Sequence, residues 1–174
     1  MTSKKIVYIV VGILVAAVVA FFALKNYTKS HSPFAEAKSK NGKVKIEYCQ
    51  PSKKGREVFG KLIPYGKVWR TGANEATKIT FEADAKIGDK TIPKGVYSLY
   101  SIPEKDSWTI LINENADQWG TQHDPEKDLF KLPAKVKELE TVVEMLTIGF
   151  EETENGTELQ IKWDNTQVSL QIGF

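Results

Sequence analysis

The chain has 174 residues, of which 41% are hydrophobic and 10% aromatic, so it carries enough apolar side chains for a folded core and is not disordered throughout. Its net charge of +2 combines a basic N-terminal stretch with a nearly neutral remainder, since residues 1–35 contain four lysines and no acidic residue. The single cysteine excludes an intrachain disulfide, and the interspersed charges of the remainder exclude a nucleic-acid-binding surface.

An apolar segment near the N-terminus predicts a membrane-spanning helix. Residues 6–24 carry no charge, and a helix of this length spans about 28 Å, close to the hydrocarbon thickness of a bilayer. A cleaved signal peptide, with residues 1–5 as its charged start, is the alternative. The apolar run is longer than a signal peptide requires, and no small-residue cleavage pair follows it promptly. We therefore predict a five-residue tail, an uncleaved anchor over 6–24 and the membrane as its partner.

Two tendencies oppose each other over the orientation of this anchor. Lys4 and Lys5 precede it, but more lysines follow it, and positive charge favours the cytoplasmic side. A five-residue tail is a weak competitor, however, and long domains cross a membrane largely regardless of loop charge. We expect the N-terminus inside and the C-terminal domain outside.

The stretch 25–42 is polar, rich in lysine and interrupted by Pro33, which predicts a linker that spaces the domain from the membrane. Within it, residues 34–38 suggest a short helical turn. No internal repeat or low-complexity tract follows, and residues 43–174 are expected to form one domain.

Alternation of apolar and polar residues dominates the rest of the chain and predicts β-strands. A helix over 134–144 is the alternative for one stretch, and Asn155-Gly156 and Asp164-Asn165 are expected hairpin turns. About nine short strands without alternating helices predict an all-β fold, an antiparallel β-sandwich or distorted barrel. The nine clearer strands cover residues 44–49, 77–82, 85–87, 90–92, 96–102, 108–112, 145–151, 158–163 and 166–172, and weaker patterns predict further strands at 67–70 and 129–137.

Both arginines of the protein lie in the irregular segment 55–77, whereas the other 22 basic residues are lysines. Arginine presents a rigid, bidentate fork that suits a carboxylate, a phosphate or an aromatic face. Arg70 is expected to clamp an anionic group, with Asn74 and Glu75 supplying hydrogen bonds or a general base. The alternative is structural: Arg70 pairs with Glu75 or a buried carbonyl, and the segment is a rigid loop.

Four aromatic side chains, Tyr65, Trp69, Trp108 and Trp119, suggest a platform for a ring-shaped ligand, although large aromatics in a small β domain also build cores. Trp108 fits a strand pattern, while Trp119 lies in a polar loop, where an exposed indole favours ligand contact. The candidate ligand-binding residues are therefore Arg56, Tyr65, Trp69, Arg70, Asn74, Glu75 and Trp119.

Other reactive side chains carry little signal. His123 is expected to be a solvated loop residue, and Cys49 a small packed residue. The Cys and His residues have no ligand spacing, so neither a metal site nor a cofactor is predicted. Since no nucleophile motif accompanies these residues, a non-enzymatic role is favoured.

The run WRTGANEAT, residues 69–77, is long and unusual in composition. Together with residues 60–68, residues 92–99 and the Gln118-Trp119-Gly120 loop, it resembles domain-of-unknown-function family 2911, a family of bacterial proteins common in Bacteroidetes and often exported. The resemblance covers roughly residues 43–174. It implies an exported single domain, and it supplies no reaction, ligand or catalytic residue. A membrane anchor in place of a cleavable signal departs from the commoner family pattern. From the apolar segment itself we expect a single-pass anchor in the bacterial inner membrane, with the C-terminal domain in the periplasm.

Three functions follow from these observations. The first is a membrane-anchored envelope domain that binds a small ligand or an envelope protein through the region of Arg56, Trp69 and Arg70. The second is a hydrolase or lyase that acts on an envelope polymer, with Glu75 as the acid/base and Arg70 orienting the substrate. The third is a purely structural envelope domain.

Overall fold

The structure is a computed structural model that describes residues 3–174. The first two residues of the predicted tail, Met1 and Thr2, lie outside the described residues. The chain divides into two compact units, and the boundary between them lies between His31 and Ser32 in the sequence.

The first unit is a single helix, α1, Ser3–His31. The stretch Lys4–Leu24 is long and apolar enough to cross a membrane, and none of it is buried. A membrane anchor and a signal sequence share these properties. The helix continues past residue 24 into the stretch predicted as a linker and includes residues 25–31 of it.

The second unit begins earlier than the alternation of strong apolar residues indicated. Phe34–Lys38 is strand β1, and the helical turn suggested for these residues is wrong. The strand pairs antiparallel with β2, Val44–Cys49, from Phe34 opposite Cys49 to Lys38 opposite Lys45. Ala35 and Ala37 alternate with exposed residues and pack against the core. Two alanines are a weak sign of a strand, and pairing with β2 decides the conformation.

The remaining elements are nearly all strands, which confirms the all-β antiparallel prediction. One sheet of seven strands has the order β1-β2-β3-β6-β7-β8-β9, and β4 and β5 form a separate two-stranded sheet. A short 3-10 helix, Pro125–Lys127, precedes β8. The further strands are β3 Thr77–Phe81, β4 Ala85–Ile87, β5 Lys90–Ile92, β6 Gly95–Pro103, β7 Ser107–Asn113, β8 Asp128–Thr153 and β9 Gly156–Ile172.

Strand β6 is the middle strand of the large sheet, and the residues from Tyr97 to Ser101 are buried without alternation. One of its faces contributes Tyr97 and Leu99 to the main core. The other contributes Tyr100 to a small second cluster with Ala76 and Leu111. Since both faces of β6 are buried, other parts of the chain must cover each face.

Strand β8 is 26 residues long and includes all of residues 134–144, so the helix considered there is wrong. Leu132, Ala134 and Val136 are each less exposed than the residues between them, which is the two-residue period of a strand. Its first part pairs with β7, and its pairing with β9 shifts register between Glu138 and Thr147. At these shifts the long strand changes direction.

Strand β9 contains both of the last two predicted strands, with a bend instead of a separate hairpin turn at Asp164. Asp164 has φ 56°, and Ser169 Oγ donates to Glu158 Oε1 at 3.2 Å, so the two halves of the strand lie close together. The preceding turn lies at Glu154 and Asn155, one residue earlier than predicted. The bend changes the phase of alternation, so that one row of buried side chains continues through it: Leu159, Ile161, Trp163, Val168, Leu170 and Ile172.

The second part of β8 closes the curled sheet against β2. The hydroxyl of Tyr48 accepts a hydrogen bond from the amide of Ile148 at 2.8 Å and donates to the carbonyl of the same residue at 3.1 Å. Gln50 Nε2 donates to the carbonyl of Leu146 at 3.1 Å. The backbone adds an isolated bridge between Ser52 and Met145, in which Lys53 N donates to the carbonyl of Glu144 at 2.9 Å and Leu146 N to that of Pro51 at 3.0 Å. Side chains and backbone together thus close the sheet.

Replacing Tyr48 with phenylalanine leaves both backbone groups of Ile148 buried without this partner. We expect the free energy of unfolding to fall by about 1–3 kcal/mol, because a buried polar group that loses its hydrogen bond keeps its desolvation cost. Urea unfolding of the full chain in detergent, followed by tryptophan fluorescence, measures the change. Tyr65→Phe, outside this contact, is the control. Equal losses in the two variants would contradict closure through Tyr48.

Candidate functional site

The segment 69–77 crosses from one face of the sheet to the other. Residues 67–70 do not form the predicted strand, but Trp69 makes an isolated bridge with Ser101 of β6, with N···O distances of 2.7 and 2.9 Å. The Trp69 indole is 7% exposed and stacks on Trp163 at 5.7 Å in the core. Since neighbouring side chains of extended backbone point to opposite faces, Arg70 is directed to the second face.

A tight turn then returns the chain to β3. Thr71 and Asn74 adopt left-handed backbone conformations, with φ 52° and 60°. Thr77 Oγ1 donates to the carbonyl of Thr71 at 2.9 Å and holds the two ends of the turn together. Asn74 is among the residue types that accept positive φ most readily. The turn therefore sets Asn74 and Arg70 on a short, rigid segment.

The polar loop over residues 114–124 covers the second face. Ala76 N donates to the carbonyl of Gln118, and Gly120 N donates to the carbonyl of Asn74, both at 3.0 Å. A Cβ atom on Gly120 would lie 2.3 Å from Arg70 Cδ and 2.9 Å from the Asn74 carbonyl oxygen. The loop can approach this closely only because residue 120 is glycine.

A pocket of about 250 Å³ lies between this loop and the sheet, and we call it the Arg70 pocket. Arg70, Tyr100 and His123 supply its ionisable side chains. The residues that line it are Val68, Trp69, Arg70, Tyr100, Gly120, Thr121 and His123.

Arg70 is partly desolvated. Burial lowers the pKa of its guanidinium, and the neighbouring Tyr100 and Cys49 oppose that shift. Its Nε atom is buried and makes no hydrogen bond, and the same holds for Asn74 Nδ2. Ser98 lies two residues before Tyr100 on β6 and so belongs to the same face, and a hydrogen bond between the two side chains opposes the rise that burial causes in the pKa of the Tyr100 phenol. Buried polar groups in folded proteins are nearly always hydrogen-bonded, so unpartnered ones indicate a missing partner.

Tyr100 and His123 are held from behind by a polar network. Their rings lie 4.6 Å apart, and Gln118 Nε2 donates to the Tyr100 hydroxyl at 2.9 Å. His123 Nε2 lies 2.8 Å from Asp128 Oδ1, which also accepts from Asn113 Nδ2 at 2.8 Å. Burial raises the pKa of the Tyr100 phenol. His123 is thus fixed by its contact with Asp128 and lines the pocket, so the expectation of a solvated loop histidine is wrong.

Glu75 and Trp119 bridge each other beside the pocket without lining it. Glu75 is half-buried, and its Oε2 atom lies 3.9 Å from the thiol of Cys49. The Trp119 indole is 39% exposed, so it is available to solvent as its polar loop suggested.

Two other predicted residues lie elsewhere. Arg56 is exposed, and its guanidinium donates to the carbonyls of Lys53 and Ser52 in its own loop at 2.8 and 2.7 Å. Tyr65 lines a different pocket, of about 330 Å³. The structure therefore places Arg70 and Asn74 together, and it does not bring Arg56 or Tyr65 to them.

Residues outside the predicted ligand-binding set complete the Arg70 pocket. Tyr100 comes from the central strand, and Gly120 and His123 come from the covering loop. A glycine directly after a tryptophan in a polar loop was the one available sign, because it permits close backbone approach. Among residues 3–174, no group of three His, Cys, Asp or Glu side chains is arranged to hold a metal ion.

Gly120→Ala tests the close approach of the covering loop. The added methyl group meets Arg70 and the Asn74 carbonyl, so we expect a loss of about 1–3 kcal/mol in the free energy of unfolding. Gly149→Ala is the matched control, because its Cβ atom would meet nothing within 4 Å. Urea unfolding of both variants measures the difference. A Gly120→Ala protein as stable as the control would show that the loop moves away without cost.

Comparison with known proteins agrees with this sequence motif. The profile of a family described as "Protein of unknown function (DUF2911)" matches residues 30–172. Neither a search of curated proteins nor one of solved structures found a match. The matched range includes Arg70, the covering loop and every strand of the second unit. The chain therefore belongs to the DUF2911 family of proteins of unknown function.

Proposed function

We propose that the chain is a membrane-anchored domain that binds a small anionic ligand in the Arg70 pocket. The observation that carries the proposal is the concentration of unpartnered buried donors beside it. Arg70 Nε and Asn74 Nδ2 are both buried without a hydrogen-bond partner. A carboxylate or phosphate oxygen is the acceptor that a guanidinium and an amide bind best.

The energetics favour an acceptor at this place. A buried donor without a partner costs about 1–3 kcal/mol, and more when the group is charged. A ligand oxygen that accepts from Arg70 and Asn74 removes part of this cost on binding. The surrounding Tyr100 and His123 rings exclude water from the bound group, which strengthens the electrostatic attraction.

Binding is favoured over the hydrolase or lyase alternative by the place of Glu75. An acid/base residue must lie within hydrogen-bond reach of the reacting group. The Arg70 pocket is lined by Arg70, Tyr100 and His123 but not by Glu75. A binding role requires only the groups that line the pocket.

The N-terminal helix supports the second part of the proposal. Lys4–Leu24 has the length and composition of a membrane span. The proposed arrangement is a single-pass anchor in the bacterial inner membrane with the binding domain in the periplasm. A tether of this kind keeps a ligand-binding domain at the envelope.

Arg70→Lys tests the ligand site, because lysine keeps the charge and loses the forked geometry. Thermal unfolding of the full chain in detergent is measured with acetate, benzoate and inorganic phosphate. We expect at least one anion to raise the unfolding midpoint of the wild-type protein. When the ligand concentration is a hundred times Kd, the added stability is about 2.7 kcal/mol. The variant should lose this increase, whereas Arg56→Lys should keep it. No anion effect on the wild type, together with a large loss of stability in Arg70→Lys, would make Arg70 a structural residue.

Intact-mass analysis of the membrane fraction tests the anchor. An uncleaved anchor gives the full 174-residue mass in membranes that have been washed with alkaline carbonate. Protease added to spheroplasts should then remove the C-terminal domain, because that domain is expected on the periplasmic side. A shorter mature mass in the soluble periplasmic fraction would mean that residues 1–24 are a cleaved signal.

A further inference from the structure

A second concave surface lies on the outward face of the β8–β9 ribbon. Lys135 is paired with Ser169 and Lys137 with Gln167, so these side chains share one face. Two concavities of about 320 and 580 Å³ lie along it, and both are lined by Lys135, Glu158 and Ser169. They form one groove, which we call the lysine groove, and its basic residues are Lys90, Lys131, Lys135, Lys137 and Lys162.

The charge of this groove is unbalanced. Five lysines line it against three acidic residues, Asp89, Glu151 and Glu158. Within residues 3–174, Asp89 is the one groove carboxylate that pairs with a groove lysine, Lys90, at 3.2 Å. The four other lysines make no ion pair with the described chain, although residues 32–174 as a whole carry 20 basic and 22 acidic residues.

Two of the three groove carboxylates are bound by neutral donors. Gln160 Nε2 donates to Glu151 Oε2 at 2.6 Å and to Glu158 Oε1 at 2.8 Å. Ser169 Oγ also donates to Glu158, at 3.2 Å. These contacts fix the two carboxylates, while the four lysines without an ion pair remain available to an external anion.

The groove also contains amide groups, which suit hydroxyl-bearing ligands. Asn155 and Gln171 line its first concavity, and Gln160 and Gln167 line its second. Gln171 Nε2 is a further buried donor without a hydrogen-bond partner in the described chain. Amide side chains both donate to and accept from hydroxyl groups.

We propose that the lysine groove binds an acidic polysaccharide. Lysines spaced along β8 from 131 to 137 cover about 20 Å, which suits an extended polymer better than a single small anion. The lysines pair with the acidic groups, and the amides between them contact the hydroxyls. The concave shape suits a chain rather than a flat anionic membrane, and this site is separate from the Arg70 pocket.

The test compares two triple variants of the full chain in detergent, each of which removes three positive charges. Lys131→Gln, Lys135→Gln and Lys137→Gln alter the groove. Lys40→Gln, Lys61→Gln and Lys67→Gln alter exposed lysines elsewhere and are the matched control. Binding of labelled polygalacturonate is measured by fluorescence anisotropy at two salt concentrations, with neutral dextran and detergent micelles that contain an anionic lipid as comparison ligands.

We expect polygalacturonate to bind in a salt-dependent manner and dextran not to bind. The groove variant should lose at least tenfold in affinity, the control should stay within twofold, and Arg70→Lys should bind as the wild type does. Equal losses in both triple variants would show general charge attraction and overturn the proposal. No polygalacturonate binding, or binding to the anionic micelles alone, would also overturn it. None of these outcomes bears on the anion site at Arg70, whose failure would appear in the thermal-shift experiment instead.

Discussion

The fold and the candidate site both depend on the placement of the Trp69 side chain in the core. Its indole stacks on Trp163, while its backbone bridges Ser101 on the central strand. Burial of a side chain of this size is worth a few kcal/mol and fixes the orientation of the residues that follow. Arg70 is thereby directed to the opposite face, where it lies under the loop that covers Tyr100. Without this buried tryptophan, the segment would be an ordinary surface loop.

The second face of the sheet explains why an arginine can be partly desolvated in a small domain. Ala76, Tyr100 and Leu111 form a second apolar cluster there, and the covering loop is attached to the segment of Asn74 by backbone hydrogen bonds. The enclosure lowers the dielectric around Arg70 and makes each unpartnered donor costly. The main core and this cluster therefore have different roles, since one stabilises the barrel-like fold and the other creates the Arg70 pocket. The lysine groove needs neither, because its side chains stand on the solvent face of β8 and β9.

Most of the strand content was predictable, because apolar residues at every second position lead to a half-buried strand wherever a partner is available. The predictions failed where the pairing partner supplied the conformation. Phe34–Lys38, for which a helical turn was suggested, became a strand through pairing with β2. Residues 138–144, which lay between two predicted strands, are part of the single long strand β8. The site was predictable only in part. Arg70 and Asn74 were identified from an unusual motif, whereas Tyr100 and His123 come from elements that are distant in sequence and carry no local signal.

By itself the sequence determined the apolar N-terminal segment, the all-β class and the concentration of both arginines in one irregular segment. These depend on local periodicity, on the length of an uncharged run and on residue type, all of which can be read along the chain. Only the tertiary structure decided which face Arg70 occupies, which donors lack partners and which lysines share a groove. Those properties arise from contacts between residues far apart in sequence. The most important are the shifted pairing of β8 with β9 and the covering loop, whose Gly120 packs on Arg70.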